Sequence, residues 1–384
     1  MEPHDDGNGI GVISPMRSLS LMHKTLLNRQ TARPEVLFLL AVIQASSTPV
    51  ALAQRPLGDK ASRRTSKEEA RLPNARIILN FNRDGPLYSP TIHWLSEHEF
   101  VFQKHFDSEI WNLWKHDIKS CKETPLRAFT DNLAGARSEP GWLQIAPDGR
   151  HALCSAGSGV VICSVERKVV WNHNIGWDKS NLRLNPYGFF WDSKNWIELI
   201  QDQFVDKISR IAIRRLDGSS ERVVHLTQKV DTPQFGGESG IIVTPSSRLI
   251  YLVEHQTIVR GDFPNSTGSM RVMKAADIIQ IDLSKTKSTP LVSQIPLPTD
   301  KFVLGGYISP NGRSIVWLTH ERKNTYKAAE GLWISDLYGK RWRKFIHVPG
   351  TPPSPHFGIF EVRWLPDGKQ VSLVTHAGLY IARP

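Results

Sequence analysis

Residues 364 to 383, Trp-Leu-Pro-Asp-Gly-Lys-Gln-Val-Ser-Leu-Val-Thr-His-Ala-Gly-Leu-Tyr-Ile-Ala-Arg, carry the pattern that decides the fold. A tryptophan ends one strand, Pro-Asp-Gly-Lys turns the chain, Val371 to Val374 make an apolar second strand, and Leu379 to Arg383 make a third. Proline presets φ, the aspartate side chain bonds its own backbone, and glycine takes φ > 0 without steric cost, so together they mark a turn. The same order recurs upstream as Trp94-Leu-Ser-Glu, Ile145-Ala-Pro-Asp-Gly, Trp191-Asp-Ser-Lys-Asn, Val243-Thr-Pro-Ser-Ser and Ile308-Ser-Pro-Asn-Gly. The anchors at 94, 145, 191, 243, 308 and 364 leave room for four short strands each, a period typical of radial arrays. The Asp-Gly and Asn-Gly pairs predict two-residue hairpins.

Each anchor precedes an apolar second strand: Phe100 to Phe102, Ala152 to Cys154, Trp196 to Ile200, Leu249 to Val253, Ile315 to Leu318 and Val371 to Val374. Third strands are expected at Ile110 to Asp117, Val160 to Glu166, Ile208 to Asp217, Ala276 to Asp282, Leu332 to Asp336 and Leu379 to Arg383. An acid closes five of these six, where its carboxylate can accept the N–H groups of the next turn. A structural role follows for those acids. The last unit has only three strands, while Ala75 to Phe81 reads as a strand with no unit of its own. Pairing the two would cover an otherwise open edge. The expected fold is therefore all-β, a six-bladed β-propeller over 75–384 with four-stranded antiparallel blades, closed by its N-terminal strand.

The 384 residues include 12 tryptophans, 25 prolines and 27 glycines, a composition suited to short strands and tight turns. Val36 to Ile43 form an apolar run behind Arg17, Lys24, Arg29 and Arg33, and Ala51 and Ala53 follow it, the layout of a secretory signal. Residues 1–53 are read as that signal, with Met16 and Met22 as alternative starts, and 54–74 as a basic solvated linker. The run is too short to span a bilayer, so no transmembrane anchor is expected and the protein is placed outside the cytoplasm, periplasmic or extracellular. The leader carries four basic and four acidic residues, so the net charge of +11 belongs to the mature chain and favours anionic partners. Outside the cytoplasm these are acidic polysaccharide, cell-envelope polymer or lipid headgroups rather than nucleic acid. Three cysteines with no C-x-x-C spacing support neither a disulfide framework nor a zinc-thiolate site. A turn at Gly157 and Ser158 would pair Cys154 with Val161 and Cys163 with Ala152, and burial as small apolar residues is expected.

The Pro-Asp-Gly-Lys and Pro-Asn-Gly-Arg turns, the Leu-Tyr-Ile and Leu-Trp-Ile strands and Asp336-Leu-Tyr-Gly resemble TolB-like, WD-repeat-like propeller repeats over about 75 to 384. Copies two, five and six match closely, while copies one, three and four lack the turn glycine. The resemblance implies the fold alone, because 54–74 is too short for the additional N-terminal domain of TolB.

No G-x-S-x-G, H-E-x-x-H, Walker loop or G-x-G-x-x-G following a strand is present. One regularity involves histidine. His105, His255, His320 and His376 each lie 11 or 12 residues past their anchor, at the end of a second strand. On a ring such positions would converge on one mouth, and imidazoles there could hold a divalent transition metal. Oligogalacturonate lyases, propellers with a histidine-ligated metal, offer a precedent in kind. The insertion from Gln256 to Ala275, carrying Arg260, Arg271 and Lys274, reads as a long binding loop. The expected function is an exported, non-catalytic binding or scaffolding propeller that engages a protein or anionic polymer and needs no cofactor. The alternative is a metal-assisted polysaccharide lyase or hydrolase using the histidine ring.

Overall fold

The computed structural model describes residues 72, 74–80, 92–103, 113–126, 143–156, 159–164, 171–174, 182–183, 188–202, 207–216, 220–233, 240–263, 266–321, 330–347, 359–375 and 378–384. All belong to one compact unit that runs from Glu68 to Pro384. The expected leader and nearly all of the expected linker lie outside them.

The regular elements among these residues are strands. They are β1 (Ala75–Asn80), β2 (Ile92–Trp94), β3 (Glu99–Gln103), β4 (Leu113–Asp117), β5 (Lys122–Pro125), β6 (Leu143–Ile145), β7 (His151–Ala156), β8 (Gly159–Ser164) and β9 (Trp171–Asn174). There follow β10 (Leu182–Arg183), β11 (Gly188–Phe190), β12 (Asn195–Asp202), β13 (Lys207–Arg215), β14 (Ser220–Asp231), β15 (Ile241–Val243), β16 (Arg248–Phe263), β17 (Ser266–Asp282), β18 (Lys287–Ser288) and β19 (Leu291–Ile295). The last are β20 (Lys301–Ile308), β21 (Ser314–Glu321), β22 (Glu330–Asp336), β23 (Arg343–His347), β24 (Ile359–Trp364), β25 (Val371–Thr375) and β26 (Gly378–Ala382). No helix among the described residues is long and apolar enough to cross a membrane.

Consecutive strands pair antiparallel into meanders: β2 to β5, β6 to β9, β11 to β14, β15 to β17 with β19, β20 to β23, and β24 to β26. β1 pairs with β26, Ala75 opposite Ala382 and Asn80 opposite Gly378. β17 and β20 touch at Met273 and Val303, which joins two meanders into one sheet.

Burial explains why the second strands read as unbroken apolar runs. Leu249, Tyr251 and Val253 of β16 enter one core with β12 to β14, while the intervening Ile250 and Leu252 enter another with β20 and β21. β21 repeats this, with Ile315 and Trp317 facing β16 and Val316 and Leu318 facing β24 to β26. Successive side chains of a strand point to opposite faces, so a meander packed between two neighbours needs apolar residues at every position. Each fully buried Val, Leu, Ile or Phe contributes about 1.5–3 kcal/mol. This stacking of meanders face to face is the organisation of a β-propeller.

The neighbours follow chain order. Further cores join β24 to β26 and β1 to β2 and β3, and β11 contacts β6 and β7. Polar links reinforce them: Tyr251 Oη donates to Asp231 O at 3.0 Å, Trp364 Nε1 to Tyr307 O at 2.8 Å and Trp94 Nε1 to Ser372 Oγ at 2.9 Å. Glu361, ion-paired with Arg363, accepts the Ile92 N–H at 3.1 Å. Two of the tryptophans that end first strands thus tie one meander to the next.

Three expectations are corrected. The Pro-Asp-Gly turns are four-residue loops: Ala146 N–H donates to His151 O and Gly149 N–H to Ala146 O, with Gly149 at φ 66°. Proline at the first central position explains it, since its φ near −65° excludes the positive φ that a two-residue turn requires there. The 256–275 insertion is not a loop, as β16 and β17 stay paired out to Phe263 and Ser266. Leu72, within the stretch read as solvated linker, is 3% exposed and packs on the core of β20 to β26, so core packing begins before Ala75.

Of the five closing acids, Glu166 and Asp217 lie outside the described residues, and Asp117, Asp282 and Asp336 have the structural role expected of them. Asp117 accepts Lys119 N–H at 2.8 Å, Asp282 accepts Ser284 N–H at 2.9 Å, and Asp336 accepts those of Tyr338 and Lys340 at 3.0 and 2.8 Å. Cys154 pairs with Val161 and Cys163 with Ala152, and Cys163 is buried and unbridged.

Candidate functional site

The histidines with a common offset sit in unlike surroundings. His255 is exposed and its Nε2 lies 2.9 Å from Asp277 Oδ2, whereas His320 is buried at 7% exposure. His105 and His376 lie outside the described residues. Among the described residues no group of three or more His, Cys, Asp or Glu side chains is placed to hold a metal ion.

Arg260, Arg271 and Lys274 belong to the β16–β17 arm, not to a loop. Arg260 stands opposite Ser269, and Arg271 stands opposite Ile258, which is 62% exposed. Lys274 is the extra residue of a bulge, since His255 pairs with Ala275 and Gln256 with Met273. Arg271 and Lys274 are both exposed. The fold therefore brings His255, Arg271 and Lys274 onto one arm.

A cleft lies at the opposite end of these strands, where the turns between first and second strands meet those between third and fourth. Hydrogen bonds lock the two kinds of turn together within a meander: Leu337 N–H donates to Arg313 O at 2.9 Å, Leu283 to Ser247 O at 2.9 Å and Ile118 to His98 O at 2.8 Å. Turns of neighbouring meanders also pack, Gly149 against Leu95, Gly312 against Ile250 and Thr244, and Gly368 against Pro310 and Asn311. They share one face of the molecule.

The cleft has a volume of about 550 Å³ and opens between β15–β17 and β20–β22. The exposed Pro245 and half-exposed Tyr338 supply apolar surface, and the buried Ile250 and Leu337 underlie it. Arg248 and Arg313, both exposed, supply positive charge against the single carboxylate of Asp336, whose Oδ1 is already engaged by its own turn. Arg248 is oriented by the buried Gln280, Nη1 to Oε1 at 3.2 Å. Such a site can hold an anionic group beside an apolar one, because guanidinium forks match carboxylates and the aromatic ring offers a flat contact. The histidine spacing does not point to it. Its signals were the Pro-Ser-Ser-Arg and Pro-Asn-Gly-Arg turns and Asp336-Leu-Tyr, which mark the fold and the site together.

No protein-family model and no curated protein matches the chain. Among solved structures it is similar to a chain of the mitotic checkpoint complex, at 11% identity over 88% of this chain and 98% of that chain, with a TM-score of 0.40. It is similar to oligogalacturonate lyase in complex with manganese, at 13% identity over 76% and 87% of the two chains, TM-score 0.38. It is also similar to the C-terminal WD40 domain of Sif2, at 12% identity over 81% and 98%, TM-score 0.37. Similarity this distant assigns no function, and the fold rests on the strand pairings described above.

Proposed function

We propose that this chain is an exported, six-bladed β-propeller, closed by β1, that binds a protein partner through the face bearing its Pro-Asp-Gly-type turns. Support for the blade count comes from the six meanders, each in contact with the next in chain order, and from the Leu95–Gly149 contact between the first and second. Support for closure comes from β1, which completes the three-stranded meander β24 to β26 as its fourth strand. The observation that carries the binding reading is the mixed cleft around Arg248, Arg313 and Tyr338, on a scaffold whose strands are locked from both sides. Loops on a rigid scaffold are favoured binding elements, and half-apolar, half-charged clefts suit protein segments.

Photocrosslinking tests this. A photoreactive phenylalanine analogue at position 338 should capture a defined protein from the native host, while the same analogue at Ile258 on the arm should not. Equal capture from both positions, or capture from 258 alone, would refute a partner at the turn face.

A further inference from the structure

The cleft belongs to a larger pattern. In each repeat one residue closes the turn between the first and second strands by accepting a hydrogen bond from the residue that opens it: Glu99, His151, Asn195, Arg248, Ser314 and Gln370. In the second, third, fifth and sixth repeats the residue just before the closing one is basic, namely Arg150, Lys194, Arg313 and Lys369. In the fourth repeat the closing residue is itself Arg248, and in the first His98 holds the preceding position. All five arginines and lysines are exposed.

The aspartates of these turns are engaged differently, while Glu97 of the first turn is exposed. Asp148 Oδ1 accepts Arg150 N–H at 2.8 Å, Asp192 Oδ1 accepts Lys194 N–H at 2.7 Å and Asp367 Oδ1 accepts Lys369 N–H at 2.9 Å. Their carboxylates serve the backbone beneath, while the cationic residues beside them are exposed. The neutral Asn311 fills that role for Arg313 N–H at 3.0 Å, which leaves the fifth repeat with no acid there at all. In the adjoining third-to-fourth strand turns, Asp117, Asp282 and Asp336 also bond their own backbone, and Lys340 and Arg341 are exposed beside Tyr338.

We infer that this face recognises an acidic segment of a partner protein, with Arg248 and Arg313 gripping carboxylates at the cleft and Arg150, Lys194 and Lys369 steering the segment from around the ring. The inference rests on the propeller reading above, which places the turns on one circle. A peptide is favoured over an acidic polysaccharide or nucleic acid because the exposed Pro245 and Tyr338 place apolar surface in the same cleft as the two guanidiniums. Peptide side chains can present apolar and anionic groups in alternation. The net charge of +11 adds long-range attraction of the same sign.

The test uses the full mature chain and a fluorescent ten-residue peptide of alternating glutamate and leucine, read by anisotropy. Its lysine–leucine counterpart is the control, and unlabelled oligogalacturonate and single-stranded DNA are the competitors. The acidic peptide should bind with an affinity that falls as salt rises, and the lysine peptide should not bind. Arg248→Glu with Arg313→Glu should weaken binding at least about tenfold, because two charge-assisted contacts become repulsive. Arg150→Glu with Lys369→Glu, outside the cleft, should cost about threefold and flatten the salt dependence. Arg271→Glu with Lys274→Glu, an equal charge change on the arm, should leave binding within about twofold. The far-UV spectrum of each variant verifies its fold. The inference is overturned if the arm variant loses binding as much as the cleft variant does, or if the acidic peptide fails to bind. It is equally overturned if oligogalacturonate or DNA displaces the peptide at lower concentration than unlabelled peptide does. None of these results removes a partner captured from position 338, so the binding-propeller reading stands or falls separately.

Discussion

Glu254 carries a carboxylate into the contact between β16 and β20, where its Oε1 lies 3.4 Å from Gly306 N and its Oε2 accepts from Gln256 Nε2 at 3.1 Å. Burial raises its pKa above the usual carboxylate value, and these two hydrogen bonds offset only part of that. A raised folded-state pKa means that protonation favours the fold, so stability is lost as pH rises through it. Glu254→Gln should therefore raise the melting temperature at pH 8, by about 2 °C for each kcal/mol recovered, and the gain should vanish towards pH 4. A pH-independent gain, or none, would count against a charged Glu254 at neutral pH. The turns offer a paired test. Gly312 sits at φ 67° with Ile250 Cδ1 2.8 Å from where a Cβ would be, so Gly312→Ala should cost roughly 1–2 kcal/mol in urea unfolding. Ser247 holds the corresponding left-handed conformation at φ 58° with a side chain, so Ser247→Gly should stabilise by up to about 1 kcal/mol. The turn chemistry at 149, 312 and 368 was legible in the glycines themselves. At 247 the turn was legible in Val243-Thr-Pro-Ser-Ser, but its positive φ was not, because no glycine marks it.

Among the elements, β1 and the β16–β17 arm make contrasting predictions. β1 adds the ladder from Ala75 to Asn80 on β26, and Leu79 packs with Ile92, Phe100 and Leu379. Removing residues 1–80 should therefore destabilise the domain far more than removing 1–70, which keeps Leu72 in its core. Equal melting temperatures for the two truncations would deny β1 that role. Among the arm residues whose burial is described, Val272 and Met273 at its base are buried, while Gln256, Thr257, Ile258 and Arg271 are exposed. Replacing residues 258–271 by Asn-Gly should shift the melting temperature by no more than about 2 °C, since a two-stranded ribbon adds little stability alone. The apolar strands were readable because burial on two faces demands an unbroken apolar run. The arm was not, since residues 256–271 hold Gly, Ser, Asn and Arg among few apolar residues, and only the ladder with its partner strand makes them β.

For the whole molecule, the proposed export predicts a processed chain. N-terminal sequencing of protein recovered outside the cytoplasm should begin at Gln54, whereas a cytosolic form retaining residues 23–53 would contradict it. The sequence by itself determined the meanders: turn residues set where the chain reverses, and apolar runs set which strands are buried, because both act within a few residues of chain. The histidine regularity came from the same counting of offsets, yet equal offsets left His255 exposed and His320 buried. Only the tertiary structure decided which distant residues share a surface. Arg248 and Arg313 lie 65 residues apart along the chain and line one cleft because Ile250 and Ile315 are packed in a common core between their meanders. A charge at a turn shows its neighbour along the chain, but its neighbours across a cleft are set by how the buried faces of adjacent sheets fit together.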